Sequence, residues 1–219
     1  MPRPRTHDEA LRLRLLDEGG RLLAAEGPGA LTTRRLAERA GTSSSAVYSL
    51  FGDKSGLLRA MFLEGFRRLA RRFAELPRTD DPGGDLIALG RAFRANALAN
   101  PHLYDLMFRS PFPGLDLGGE ECEEALATFQ VLVSAVRRCV ERKAIAPADP
   151  EDVARVLFGL VDGLAGLELR GWLGDLETAG RCWELALSAV LRGLQPSRGE
   201  GTTADHRGTR PRDRRPVHA

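Results

Sequence analysis

The chain has 219 residues, 32 Lys+Arg against 30 Asp+Glu, 42% apolar side chains and three cysteines. That length supports one large or two small domains with a real core, and the apolar content is too high for a disordered polypeptide. No uninterrupted apolar run approaches the ~18–20 residues that cross a bilayer, so a membrane-spanning chain is excluded.

The start, Met1 to Glu9, is polar and lacks the apolar stretch of a secretory signal, so a cytoplasmic chain is expected. Cys122, Cys139 and Cys182 are scattered with no Cys-x-x-Cys, so neither a disulfide framework nor a zinc site follows, and no cofactor is called for. The charge is uneven: net +3 over residues 1–60, −4 over 61–196 and +3 over 197–219. A basic end on an acidic body is a weak pointer to a polyanion bound at one end.

Apolar residues recur at every third and fourth position and no stretch alternates with period two, so the fold class is all-α. The first helix is expected from Asp8 to Glu26, with Leu11, Leu15, Leu22 and Leu23 on one stripe and Gly27 as its stop. Gly19 and Gly20 lie inside it. At roughly 1 kcal/mol each relative to Ala, they mark either a close helix crossing or a weak point. Next, Thr32 can cap a short helix ended by Gly41, and Ser43 can cap a second that turns Val47, Leu50 and Phe51 inward. Two short helices joined by a glycine turn form a helix-turn-helix. Asp53 then caps a longer helix reaching Pro77, and Pro77 to Gly84 reads as a loop.

Helices resume from Asp85. Asn100-Pro101 starts a short one through Phe108, and Ser110 to Gly119 is a second loop. A long helix from Glu121 to Lys143 carries an acidic run, Glu120 to Glu124, that suits the positive end of a helix better than a metal site. Two more helices follow, Pro150 to Arg170 and Asp175 to Leu194. The first is apolar almost all round, so it needs cover on more than one side, and a second subunit is the natural cover. Beyond Gln195 the chain is Gly, Arg, Asp and Thr, the composition of a disordered basic tail.

The order Leu15-Leu16-Asp17, Thr32 and the run Leu36-Ala37-Glu38-Arg39-Ala40-Gly41 through Tyr48-Ser49-Leu50-Phe51-Gly52-Asp53-Lys54-Ser55-Gly56-Leu57-Leu58 resembles the TetR family of transcriptional regulators. The segments Asn100 to Phe108 and Gly159 to Leu164 look like the effector domain of one subgroup. The resemblance implies a DNA-binding domain over residues 1–60, a ligand-binding and dimerisation domain over 61–195 and the tail over 196–219. It further implies a homodimer on double-stranded DNA, released from a palindromic operator by a small apolar effector. Helix-turn-helix dimers reach half-sites about 34–36 Å apart.

By the same resemblance Ser43, Ser44, Ser45 and Ser49 face bases and phosphates, Tyr48 and Lys54 meet phosphate, and Thr32 and Arg34 are further phosphate candidates. Outside such a motif these would read as capping or solvated side chains. The family often carries a larger residue at position 44, and serine there leaves base preference undefined. Arg3 and Arg5 could reach a minor groove, although a frayed terminus is the commoner case.

In the body, Phe93, Tyr104, Phe108, Phe129, Phe158 and Trp172 are candidates for lining a cavity, though aromatics at helical spacing are more often plain core. Asp162, a charge inside an apolar helix, must find a partner, and pocket and dimer interface weigh equally. Gly159, Gly163, Gly166 and Leu167 suit a close helix–helix interface between subunits. The competing reading is an all-helical enzyme or small-molecule carrier without DNA binding. It lacks any nucleophile elbow, phosphate loop or paired-histidine motif, so no enzyme is expected. Activation against repression depends on operator position, which the chain does not encode.

Overall fold

The computed structural model describes residues 5–108, 115 and 117–196, without the side chains of 5–8 and 120. Among them are nine α-helices and no strand: α1 Arg5–Glu26, α2 Thr33–Ala40, α3 Ser44–Phe51, α4 Lys54–Ala74, α5 Pro82–Ala99, α6 Pro101–Phe108, α7 Gly119–Glu141, α8 Pro150–Leu169 and α9 Leu176–Leu194. The tail over 197–219, Arg3 and most of the loop expected over Ser110 to Gly119 lie outside the described residues, as does the side chain of Arg5.

Local chemistry sets most helix boundaries. The side chains of Thr32, Ser43, Asp53, Asp81, Asp149 and Asp175 accept from backbone N–H groups two or three residues on, satisfying donors that a helix start leaves open. Most helix ends shift by only a few residues from the reading above, and the start of α5 differs in kind. Pro82-Gly83-Gly84, turn-like in composition, forms the first turn of α5, because Asp81 caps it and Pro82 takes the first helical position, where no N–H is needed.

The pair Gly19-Gly20 is a crossing point. A Cβ on Gly20 would stand 2.1 Å from Cδ2 of His102 on α6, and one on Gly19 would stand 3.2 Å from Sδ of Met61 on α4. The two glycines let α1 lie against both helices.

α1, α2 and α3 form the small N-terminal unit, and α4 joins it to the rest, touching α1, α3, α5, α6 and α7. One apolar cluster runs from Leu15 and Val47 through Leu58, Phe66, Phe93 and Leu103 to Trp183 and Leu187, so the core continues without a break from the small unit into the body. A second cluster, with Leu86, Val136, Cys139 and Leu157, fills the far end between α5, α7 and α8.

Candidate DNA-recognition surface and apolar cavity

The turn between α2 and α3 is built from Gly41 in the left-handed region, φ 64°, followed by Ser43, whose hydroxyl caps α3 by accepting from Ala46 N at 3.1 Å. With Val47 buried and Leu50 half-buried, the helical period turns Ser44, Ser45, Tyr48 and Ser49 outward. All four are exposed, Tyr48 to 67%. Thr32 and Arg34 are exposed on the start of α2, where Thr32 accepts from Arg35 N and Arg34 pairs with Glu38 at 3.0 Å. Lys54 is exposed at the start of α4, and its ammonium donates to the carbonyl of Pro28. α3 is held to α4 at close range: a Cβ on Gly56 would stand 2.0 Å from the carbonyl oxygen of Phe51.

Some 20 residues along the chain, α4 forms one wall of an apolar cavity of about 520 Å³. Phe62, Phe66 and Phe73 of α4 face Phe93 of α5, Phe108 of α6, Phe129 of α7 and Phe158 of α8, and α9 closes it with Leu187, Val190, Leu191 and Leu194. Ring centroids 5.5 to 5.6 Å apart link Phe108 to Phe66, Phe93 and Phe158. Among the described residues no charged side chain lines the cavity, and Thr128 and Cys122 supply its polar atoms.

Of the residues singled out from sequence, Phe93, Phe108, Phe129 and Phe158 line this cavity and three do not. Trp172 is 72% exposed on the α8–α9 turn, with the Arg170 guanidinium 4.9 Å above its ring, because the turn projects it away from the bundle. Tyr104 packs on Phe108 and Phe93 from behind, and its hydroxyl donates to Oδ1 of Asp162 at 2.5 Å. Asp162 is thereby taken up in tying α8 to α6 and does not reach the cavity. The residues missed are the α4 phenylalanines and the α9 wall. Phe62, Leu69 and Phe73 follow helical spacing along α4, but nothing local in the sequence says that this face borders a void.

The outer face of α8 and α9 is apolar and bare. Val156 is 65% exposed and Leu185 66%. A Cβ on Gly159 or Gly163 would meet nothing within 4 Å, so neither glycine is required by packing inside the subunit. Gly166, one turn further along α8, is buried in the subunit and borders a groove with Ala24, Ala25 and His102. Leu167 is half-buried.

Polar groups cross the seam between the small unit and the body. Glu64, 2% exposed, accepts from Arg68 and Arg71 at 2.9 Å each, and Arg68 also donates to Asn100 at 2.7 Å and stands 2.8 Å from Asp17 of α1. Burial alone would lower the Arg68 guanidinium, but Glu64 and Asp17 more than reverse it and hold it above its ordinary value. On α7, Glu124 pairs with Arg67 at 2.7 Å and Glu121 lies 3.8 Å from Arg59, so the acidic run also binds α7 to α4.

Residues 15–61 match the bacterial regulatory proteins of the tetR family, and residues 86–190 match the tetracyclin repressor-like C-terminal domain. The two matches fall in family order and together span well over half of the chain. The chain belongs to the TetR family. Residues of this TetR chain are 31% identical over 109 positions to the HTH-type transcriptional regulator Rv1816 of Mycobacterium tuberculosis, covering 48% of this chain and 47% of that one. The chain thus spans about half the length of the curated relatives it matches first. YvkB of Bacillus subtilis, also an HTH-type transcriptional regulator, is 25% identical over 151 residues, 68% of this chain and 78% of its own. A solved structure from Rhodococcus sp. RHA1, of a protein of unknown function, superposes with TM-score 0.70 at 28% identity, covering 85% of this chain and 96% of that one. α3 itself carries no charged side chain, while Arg34 on α2 and Lys54 on α4 are exposed.

Proposed function

We propose that this TetR chain is a DNA-binding transcriptional regulator: a homodimer that places α3 of each subunit in successive major grooves of a palindromic operator and is released by a small apolar molecule held in the cavity. The single observation that carries the reading is the reach of α4. Its first turn supports α3 through Gly56, and its middle and last turns supply Phe62, Phe66 and Phe73 to the cavity.

The 21 residues of α4 span about 31 Å as one rigid rod. A ligand that presses on the phenylalanines and shifts that rod moves both reading heads, and two heads must keep their spacing to stay in register with DNA. Binding favoured by one arrangement of α4 and opposed by the other gives a coupling free energy between cavity and DNA.

On this reading Ser44, Ser45 and Ser49 meet base edges or phosphates, Thr32, Arg34, Tyr48 and Lys54 meet the backbone, and Lys54 leaves Pro28 to do so. The body is the domain over 61–195, the reading head lies within 1–60, and Gly159, Gly163 and Leu167 with Val156 and Leu185 form the subunit contact. The protein works in the cytoplasm, where its DNA is. A carrier without DNA binding gives no role to the outward serines and Tyr48 beyond contact with water.

Fluorescence anisotropy against DNA flanking the chain's own gene tests the reading. We expect salt-sensitive binding that competitor DNA does not remove. Tyr48→Ala and Lys54→Ala should each weaken it roughly 5- to 20-fold at unchanged far-UV helicity. Unaltered affinity in both variants would count against this surface.

A further inference from the structure

The composition of the cavity wall constrains what can occupy it, an argument that rests on the cavity being the effector site. Seven of the nine phenylalanines of the chain line it, with aliphatic side chains filling the gaps. The carboxylates nearest to these helices are already engaged away from it: Asp162 by the Tyr104 hydroxyl, Glu64 by Arg68 and Arg71, Glu124 by Arg67, Glu168 by Arg94 and Trp183. A charged ligand would therefore leave its ion unpaired in a wall of hydrocarbon, which is far costlier than leaving it in water.

One polar side chain among the lining residues is deep. Thr128, 6% exposed, donates its hydroxyl proton to the carbonyl of Glu124 at 3.3 Å, which leaves the lone pairs of Oγ1 as acceptors. A group that suits this atom has to donate a hydrogen bond and be neutral. Leu126, 58% exposed, and Cys122, also exposed, line the cavity as well, so its mouth lies along the first turns of α7 and Thr128 lies within. The volume falls within the ~300–1,000 Å³ of sites that enclose drug-sized ligands.

We infer that the ligand is an uncharged, chiefly hydrocarbon molecule bearing a hydroxyl group that donates to Thr128. Acids and amines of the same size and shape are rejected because none of the described residues lining the cavity offers a counter-charge.

Isothermal titration of the full chain with decanol, decyl methyl ether, decanoate and decylamine at neutral pH, on wild type and Thr128→Val, tests it. The alcohol should bind best, the ether about 3- to 10-fold more weakly and the two ions at least ~100-fold more weakly. Thr128→Val keeps the volume and removes the acceptor, so it should erase the gap between alcohol and ether and leave the ether unchanged. Decanoate or decylamine binding as well as decanol, a gap that survives in Thr128→Val, or no binding of decanol overturns the inference. Anisotropy in parallel separates this from the function proposed above: decanol that binds but leaves DNA bound breaks the coupling and leaves the ligand class standing.

Discussion

His102 sits where α6 meets α1, its ring over Gly20 and its Nε2 buried without a hydrogen-bond partner, 3.7 Å from Asp17 Oδ1. Burial pushes the imidazole below its ordinary value, Arg68 and Arg21 push the same way, and Asp17 offsets them only in part. The folded chain therefore takes up this proton at lower pH than the unfolded chain does. Its contribution to stability is complete above the unfolded value, near 6.5, and is lost as pH falls below it. Thermal melts between about pH 8 and pH 5 should show the midpoint dropping toward acid, with a shallower drop in His102→Gln. Equal slopes in the two proteins would remove His102 from the account. None of this was legible along the chain, because the partners of His102 come from α1 and α4, more than 30 residues away.

Between elements, α5, α8 and α9 are joined at one carboxylate. Glu168, half-buried, accepts two hydrogen bonds from Arg94, at 2.9 and 2.6 Å, and one from the indole N–H of buried Trp183 at 2.7 Å. The Arg94 guanidinium also lies 5.9 Å from the Trp183 ring. Removing the acid leaves a cation and an indole donor unpaired together. Glu168→Ala should therefore destabilise the fold by about 3 kcal/mol, read by urea denaturation, with α9 loosened first. A loss below about 1 kcal/mol would show that water replaces the acid at no great cost. Helix boundaries, in contrast, were readable. Thr32, Ser43 and Asp53 act on backbone groups within three residues, and a signal that short survives in the sequence. The start of α5 was misread because Pro and two Gly suggest a turn, whereas Asp81 as cap decides for a helix.

For the whole molecule, the bare face of α8 and α9 carries the expectation about assembly. Val156 and Leu185 are more than half exposed beside glycines that face open space, an arrangement that lets a second helix pair come close. Placing a charge there should cost the dimer far more than the subunit. We expect Leu185→Glu to elute as a monomer with wild-type helicity and to bind operator at least tenfold more weakly, since one reading head remains per particle. A dimer of unchanged stability in this variant would move the interface elsewhere.

The paired-helix reading head and the all-α class were determined by the chain itself, because capping residues, glycine stops and apolar period act within one or two turns. That Gly19 and Gly20 mark a crossing, that Asp162 holds Tyr104, that Trp172 points to solvent, and that α4 to α9 enclose a void were decided only by tertiary structure. A helix face records that it is apolar. Which face lies opposite, and whether the two meet or leave a space, depends on residues more than a hundred positions apart.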